Sequence, residues 1–111
     1  MKTPIAFTAF GMIMIVSLRN GVAADAAANW SQHCASCHGK NGKGDTTMGK
    51  KLGVKDYHDA KVQAAFSDAE MERAIKEGVK TNGKETMKPF GNKFSDPDIK
   101  ALAAYIRSFK K

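Results

Sequence analysis

Two cysteines, three prolines and a single tryptophan are all that this 111-residue chain has of each. It has no apolar stretch of the eighteen or more residues that a membrane-spanning helix needs. Its longest apolar stretch runs only from Ile5 to Leu18. No internal repeats, low-complexity tracts or linkers are visible, and the length suits one domain. Two cysteines three positions apart would close only a very small loop, and a disulfide there would restrain the unfolded chain little. With no second Cys/His pair downstream of Cys34, Cys37 and His38, a structural zinc site lacks its four ligands. No nucleic-acid-binding motif is present either.

The first two dozen residues have the layout of a secretory signal. Lys2 precedes the apolar run, Arg19-Asn20-Gly21 breaks it, and Val22-Ala23-Ala24 supplies small residues for a peptidase. Residues 1–24 are therefore expected to be a leader, cleaved after Ala24 or Ala23, with an uncleaved anchor as the alternative. Residues 25–111 are the expected domain, in a periplasmic or otherwise exported location. The full chain carries a net charge of +7; without Lys2 and Arg19, sixteen basic residues face eleven acidic ones, leaving +5. Such a balance bears on encounter with acidic partners more than on fold.

An 87-residue domain spanning 25–111 buries little apolar surface and usually needs a staple. Helical periodicity runs from Asp25 to about His38, with Ala26, Ala27, Trp30 and Cys34 on one face. The stretch from Gly39 to Gly53 holds five glycines and reads as loop. Val54 to Phe66 leaves room for a short helical turn. Ser67-Asp68-Ala69-Glu70 fits a capping box ahead of the stripe Met71, Ala74 and Ile75, and Gly78 stands where a helix ends. Thr81 to Phe94 reads as loop. Ser95 or Asp96 opens a last helix, with Pro97 in its first turn and Ile99, Leu102, Ala103 and Ile106 on its apolar face. No strand pair is expected, so the fold class is all-α.

Cys34, Cys37 and His38 fall at i, i+3 and i+4, so one helical turn presents all three on one side. Two thiols can add to the vinyl groups along one porphyrin edge while the adjacent imidazole reaches the iron. The Cys-x-x-Cys-His string reads as a c-type haem attachment site, and the expected cofactor is one covalent haem c. For the sixth iron ligand, Met71 lies on a helix stripe and suits core packing, and Met48 is too near His38 in sequence to cross the macrocycle. Met87, 49 residues after His38 in a loop stiffened by Pro89, can reach the far face. Its thioether favours the ferrous state. His58 competes, although its polar segment suits an exposed residue, and His33 points away from the iron.

With Trp30 four residues before Cys34, the Cys34–Gly39 string, the Met87-Lys88-Pro89-Phe90 loop and a closing helix with Tyr105, residues 25–111 resemble a small class I cytochrome c over nearly their whole length. The resemblance implies first and last helices that cross closely, Ala26 at the crossing, Trp30 and Tyr105 packed about it, and Met87 as axial ligand. In one respect the chain departs from many relatives: it has no proline between Gly39 and Lys88. The carbonyl that accepts the His38 Nδ1–H must therefore come from elsewhere, with Gly49 and Lys50 as candidates.

The expected function is that of a monomeric, non-enzymatic carrier that cycles one haem between Fe(II) and Fe(III). Trp30, Leu52, Ile75, Phe90, Phe94 and Leu102 are expected to bury the porphyrin. Lys40, Lys43, Lys50, Lys51, Lys84, Lys88 and Lys93 form a candidate rim for docking acidic redox partners, against the alternative of a generic solvated surface. Contact with a membrane is expected only through partner complexes. The alternative functions are a haem subunit of a larger dehydrogenase or oxidase, and an open-site haem protein such as a peroxidase or gas sensor.

Overall fold

A computed structural model describes residues 19–111, together with Thr3, Pro4 and Gly11. The expected leader lies largely outside the described residues, and both expected cleavage points fall within the first helix. Helix α1 runs from Arg19–His33 and is followed directly by the short α2, Ala35–His38. The single helix expected across this region is interrupted at Cys34, whose φ of −118° departs from helical geometry. Hydrogen bonds nevertheless bridge the break, from Cys34 N–H to Trp30 O and from His38 N–H to Cys34 O, both at 2.9 Å.

The glycine-rich stretch is not all loop. It contains α3, Thr47–Leu52, capped by the Thr46 hydroxyl and ended by Gly53 at a left-handed φ of 72°. A further short helix, α4 (Ala60–Ala64), starts at the Asp59 cap. Helix α5, Asp68–Glu77, has the expected capping box between Ser67 and Glu70 and the expected terminal glycine, Gly78. Helix α6, Asp96–Arg107, opens with a second capping box, between Ser95 and Asp98, and has Pro97 in its first turn.

The expectation of no strands is corrected by an antiparallel hairpin, β1 (Val79–Thr81) and β2 (Lys84–Met87). Its turn is Asn82-Gly83, with φ of 53° and 78°. Two consecutive positive φ values are what a type I′ turn requires, and Asn-Gly is the pair best suited to them. The strands are short and mostly exposed, with only Thr86 and Met87 half-buried, so no alternation of apolar residues marks them.

The core forms where α1 packs on α6 and α5 packs on α6. Trp30, Met71, Ile75, Phe90, Phe94, Ile99, Leu102, Ala103 and Ile106 make one buried cluster. Trp30 and Leu102 are the most enclosed of the large side chains, at 2% and 1% exposure. Side chains of this size each contribute roughly 2–3 kcal/mol through burial. Ala26 is buried on α1, and the Trp30 ring lies 5.9 Å from Tyr105 and 5.2 Å from Phe109, in keeping with the expected packing of the terminal helices. All four residues expected on the apolar face of α6 are buried. Among the described residues no helix is long and apolar enough to cross a membrane.

Candidate functional site

Helices α1, α2, α5 and α6 close on an apolar cleft. Trp30, Cys34, His38, Tyr57, Met71, Ala74, Ile75, Met87, Leu102 and Ile106 line it. Three of the four residues singled out for haem chemistry therefore meet in one place: Cys34, His38 and Met87. Cys37, the fourth, is half-buried on α2 and does not line the cleft. Its carbonyl accepts a hydrogen bond from the Thr46 hydroxyl at 2.6 Å, which ties the motif to the start of α3.

The Cys-x-x-Cys-His turn is held from several directions. The indole Nε1–H of Trp30 donates to Gly39 O at 2.9 Å, and Gly44 N–H donates to His38 O at 2.8 Å. Tyr57 stacks on the His38 ring with 5.5 Å between centroids and 20° between planes, while the Trp30 ring meets the same imidazole at 5.4 Å, tilted by 39°. Tyr57 went unmarked in the sequence because its segment has no periodicity. A hydrogen bond from its N–H to Gly42 O, 2.9 Å long, brings it to the cleft.

Burial sets the ionisation of these groups. Desolvation lowers the His38 pKa, so the imidazole stays neutral and able to coordinate a metal. The Cys34 thiol is pushed up to about 11, first by desolvation and then by the neighbouring Cys37. Desolvation, and secondarily Cys34, also raises the Tyr57 pKa.

Among the described residues His38 Nδ1 is buried without a hydrogen-bond partner. The expected carbonyls do not bond to it; both take part in ending α3. Gly49 O accepts from Val54 N–H at 3.0 Å and Lys50 O accepts from the Gly53 N–H at 3.4 Å. Other expectations also shift. Met71 is buried as expected, but it lines the cleft as well. Leu52 is only half-buried, and Leu52, Phe90 and Phe94 stand outside the cleft lining, the two phenylalanines belonging to the core cluster behind it. Met48 is 45% exposed. His58 is half-buried rather than exposed, with Nε2 2.6 Å from Asn41 O. His33 packs edge-on against Phe90 and Phe94.

The donor set suits haem: thiols on a helical turn, a neutral imidazole next to them, a thioether from a distant segment, and aromatic and aliphatic walls. A helical shell built this way around a Cys-x-x-Cys-His turn defines a small c-type cytochrome. The chain belongs to the c-type cytochrome family whose model is described as cytochrome c oxidase, cbb3-type, subunit III, which it matches over residues 21–106. It is 38% identical over 91 residues to cytochrome c6 of Picosynechococcus sp., an alignment covering 76% of this chain and 73% of the relative. Among solved structures it resembles the KustC0563 c-type cytochrome, with a TM-score of 0.70 and 37% identity, covering 78% of this chain and 98% of that one. A tyrosine-to-phenylalanine variant of the same protein superposes with a TM-score of 0.68 at 37% identity, over 78% of this chain and 99% of that one. The chain is thus a class I cytochrome c in fold, carries covalent haem c, and serves as a haem-based electron carrier that exchanges electrons with redox partners.

Proposed function

We propose that this cytochrome is an exported, monomeric single-electron carrier whose haem would be attached through Cys34 and Cys37 and whose iron would be held by His38 and Met87. The observation that carries this reading is that Cys34, His38 and Met87 line the same cleft, although Met87 comes from the far end of the hairpin. Haem c supplies the one-electron Fe(II)/Fe(III) couple. The chain's own residues orient it, exclude water from it and hold its ligands. A neutral imidazole and a thioether together favour a raised potential, and keeping both ligands through the cycle limits reorganisation.

Absorption spectra of the purified haem-loaded protein test the ligand set. A far-red methionine–iron band in the ferric state, lost in Met87→Ala, is the expected result. A high-spin spectrum that responds directly to cyanide or CO would point to an open site instead. The small-residue run Val22-Ala23-Ala24 supports export, and the mass of the secreted protein reports whether the chain then begins at Asp25 or Ala24.

The proposed docking rim comprises Lys40, Lys43, Lys50, Lys51, Lys84, Lys88 and Lys93, every one of which is exposed. Lys88 also sits over the Phe90 ring, with Nζ 5.5 Å from its centroid. Rim charges act on association rate, so electron exchange with an acidic partner should slow as salt is added. A rate indifferent to salt removes the rim from the proposal. Because the family description names an oxidase subunit, a second reading has the domain working within a larger complex. Co-purification with membrane subunits at stable stoichiometry is the result that favours it.

A further inference from the structure

Gly78 ends α5 at a left-handed φ of 79° and lies against the backbone that carries Met87. A Cβ on Gly78 would stand 2.6 Å from Met87 O, 2.9 Å from Pro89 N and 3.1 Å from the carbonyl carbon of Lys88. All three are main-chain atoms, which cannot swing aside as the tip of a side chain can. The same stretch is fastened on either side of this contact. Ahead of it, Met87 pairs with Val79 across the hairpin, where a bulge follows between Val79 and Lys80. Beyond it, Phe90 N–H donates to Ile75 O at 2.9 Å and Gly91 N–H to Lys76 O at 3.0 Å, using carbonyls that the last turn of α5 leaves free. The strap bearing Met87 therefore lies flush on the end of α5, and at Gly78 there is no room for a Cβ between them.

We propose that Gly78 is a positioning residue for the axial thioether: having no side chain, it lets the Met87 strap seat on α5 and so keeps the sulfur at the iron against competing ligands. The inference rests on the reading of Met87 as the sixth ligand. A strap lifted off this seat would weaken the iron–sulfur bond: the ferric state, which holds a soft thioether less well, would exchange it for another ligand first, and the ferrous state would lose more of the binding energy that raises the potential.

Gly83 provides an internal control. It has nearly the same φ, 78°, but a Cβ there meets nothing within 4 Å. Alanine at Gly78 combines the strain of φ 79°, ψ −179° with the collision against the strap, whereas alanine at Gly83 has a positive φ and no collision. The test uses purified haem-loaded wild type, Gly78→Ala and Gly83→Ala, with imidazole as the competing ligand for the ferric iron. Gly78→Ala is expected to bind imidazole about tenfold more tightly than wild type, the scale of a strained, displaced backbone segment. Its far-red band should weaken and its midpoint potential fall, with the helical circular dichroism unchanged. Gly83→Ala should keep the wild-type band and midpoint.

Equal imidazole affinities and midpoints in the two alanine variants, with the far-red band intact, would overturn the inference. A wild-type protein with no far-red band, and no spectral response to Met87→Ala, refutes the ligand reading instead, and the Gly78 proposal falls with it. Should Gly78→Ala fail to retain haem, insertion of one glycine between Lys88 and Pro89 carries the test. Slack in the strap must then raise imidazole affinity by a similar factor, and an unchanged affinity sinks the proposal.

Discussion

Trp30 and Gly39 are joined by a buried hydrogen bond, 2.9 Å from the indole nitrogen to the glycine carbonyl, that spans the entire attachment motif. Its donor sits on α1 and its acceptor just beyond His38, so the bond fixes the turn carrying Cys34, Cys37 and His38 to the helix that crosses α6. Trp30→Phe keeps most of the apolar bulk but leaves a buried carbonyl unpaired. The expected cost is about 2 kcal/mol, read as a lower urea midpoint of the haem-loaded protein with an unchanged slope.

Thr46 ties the same turn from the other side. Its hydroxyl donates to Cys37 O at 2.6 Å and accepts from Gly49 N–H at 2.9 Å. Thr46→Val is close in shape and loses both bonds, so it should destabilise the haem-loaded protein by roughly 1–3 kcal/mol. Thr46→Ser keeps the hydroxyl, and its urea midpoint should stay near that of wild type.

Arg107 fastens the last helix to the middle of the chain. Its guanidinium donates to Phe66 O at 2.7 Å, to Asp68 Oδ1 at 2.8 Å and to both oxygens of Gln63, while Gln63, only 3% exposed, reaches Tyr57 O and Ile106 O. A lysine has no planar fork with which to satisfy these acceptors together. Arg107→Lys should therefore cost about 1–2 kcal/mol, and Asp68→Ala, which removes only the exposed member, less than about 1 kcal/mol. Thermal or urea unfolding of the two variants side by side checks the order.

Acid sensitivity is expected at the start of α5. The backbone N–H of Ser67, and after it the Ser67 side chain, hold the Glu70 carboxyl below its ordinary pKa. A carboxyl with a depressed folded-state pKa adds stability above its unfolded value and loses it as pH falls through the folded one. The Glu70 resonance should thus titrate below the usual glutamate range. Glu70→Gln should flatten the acid limb of the stability profile, and the two proteins should converge at low pH.

Much of the candidate site could be proposed from the chain because its pattern is local. Cys34, Cys37 and His38 are neighbours in sequence, and Met87 is marked by its distance from them and by Pro89. Helices α5 and α6 carry their start signals in four residues each, and both capping boxes are present. The hairpin was harder to see. Asn82-Gly83 is a strong turn signal, but strands of three and four mostly exposed residues leave no alternation to support it. Tyr57 and the unpartnered Nδ1 of His38 depend on tertiary approach, which no spacing rule reports.

The docking of α1 on α6 also has a meaning in time. Leu102 and Ile106, which complete the cleft wall, lie more than sixty residues after Cys37. Contacts between segments so far apart in sequence form late in folding. Until α6 docks, the cleft that Cys34 and His38 line stands open on one side, so a haem attached before that moment would be walled in by the docking itself.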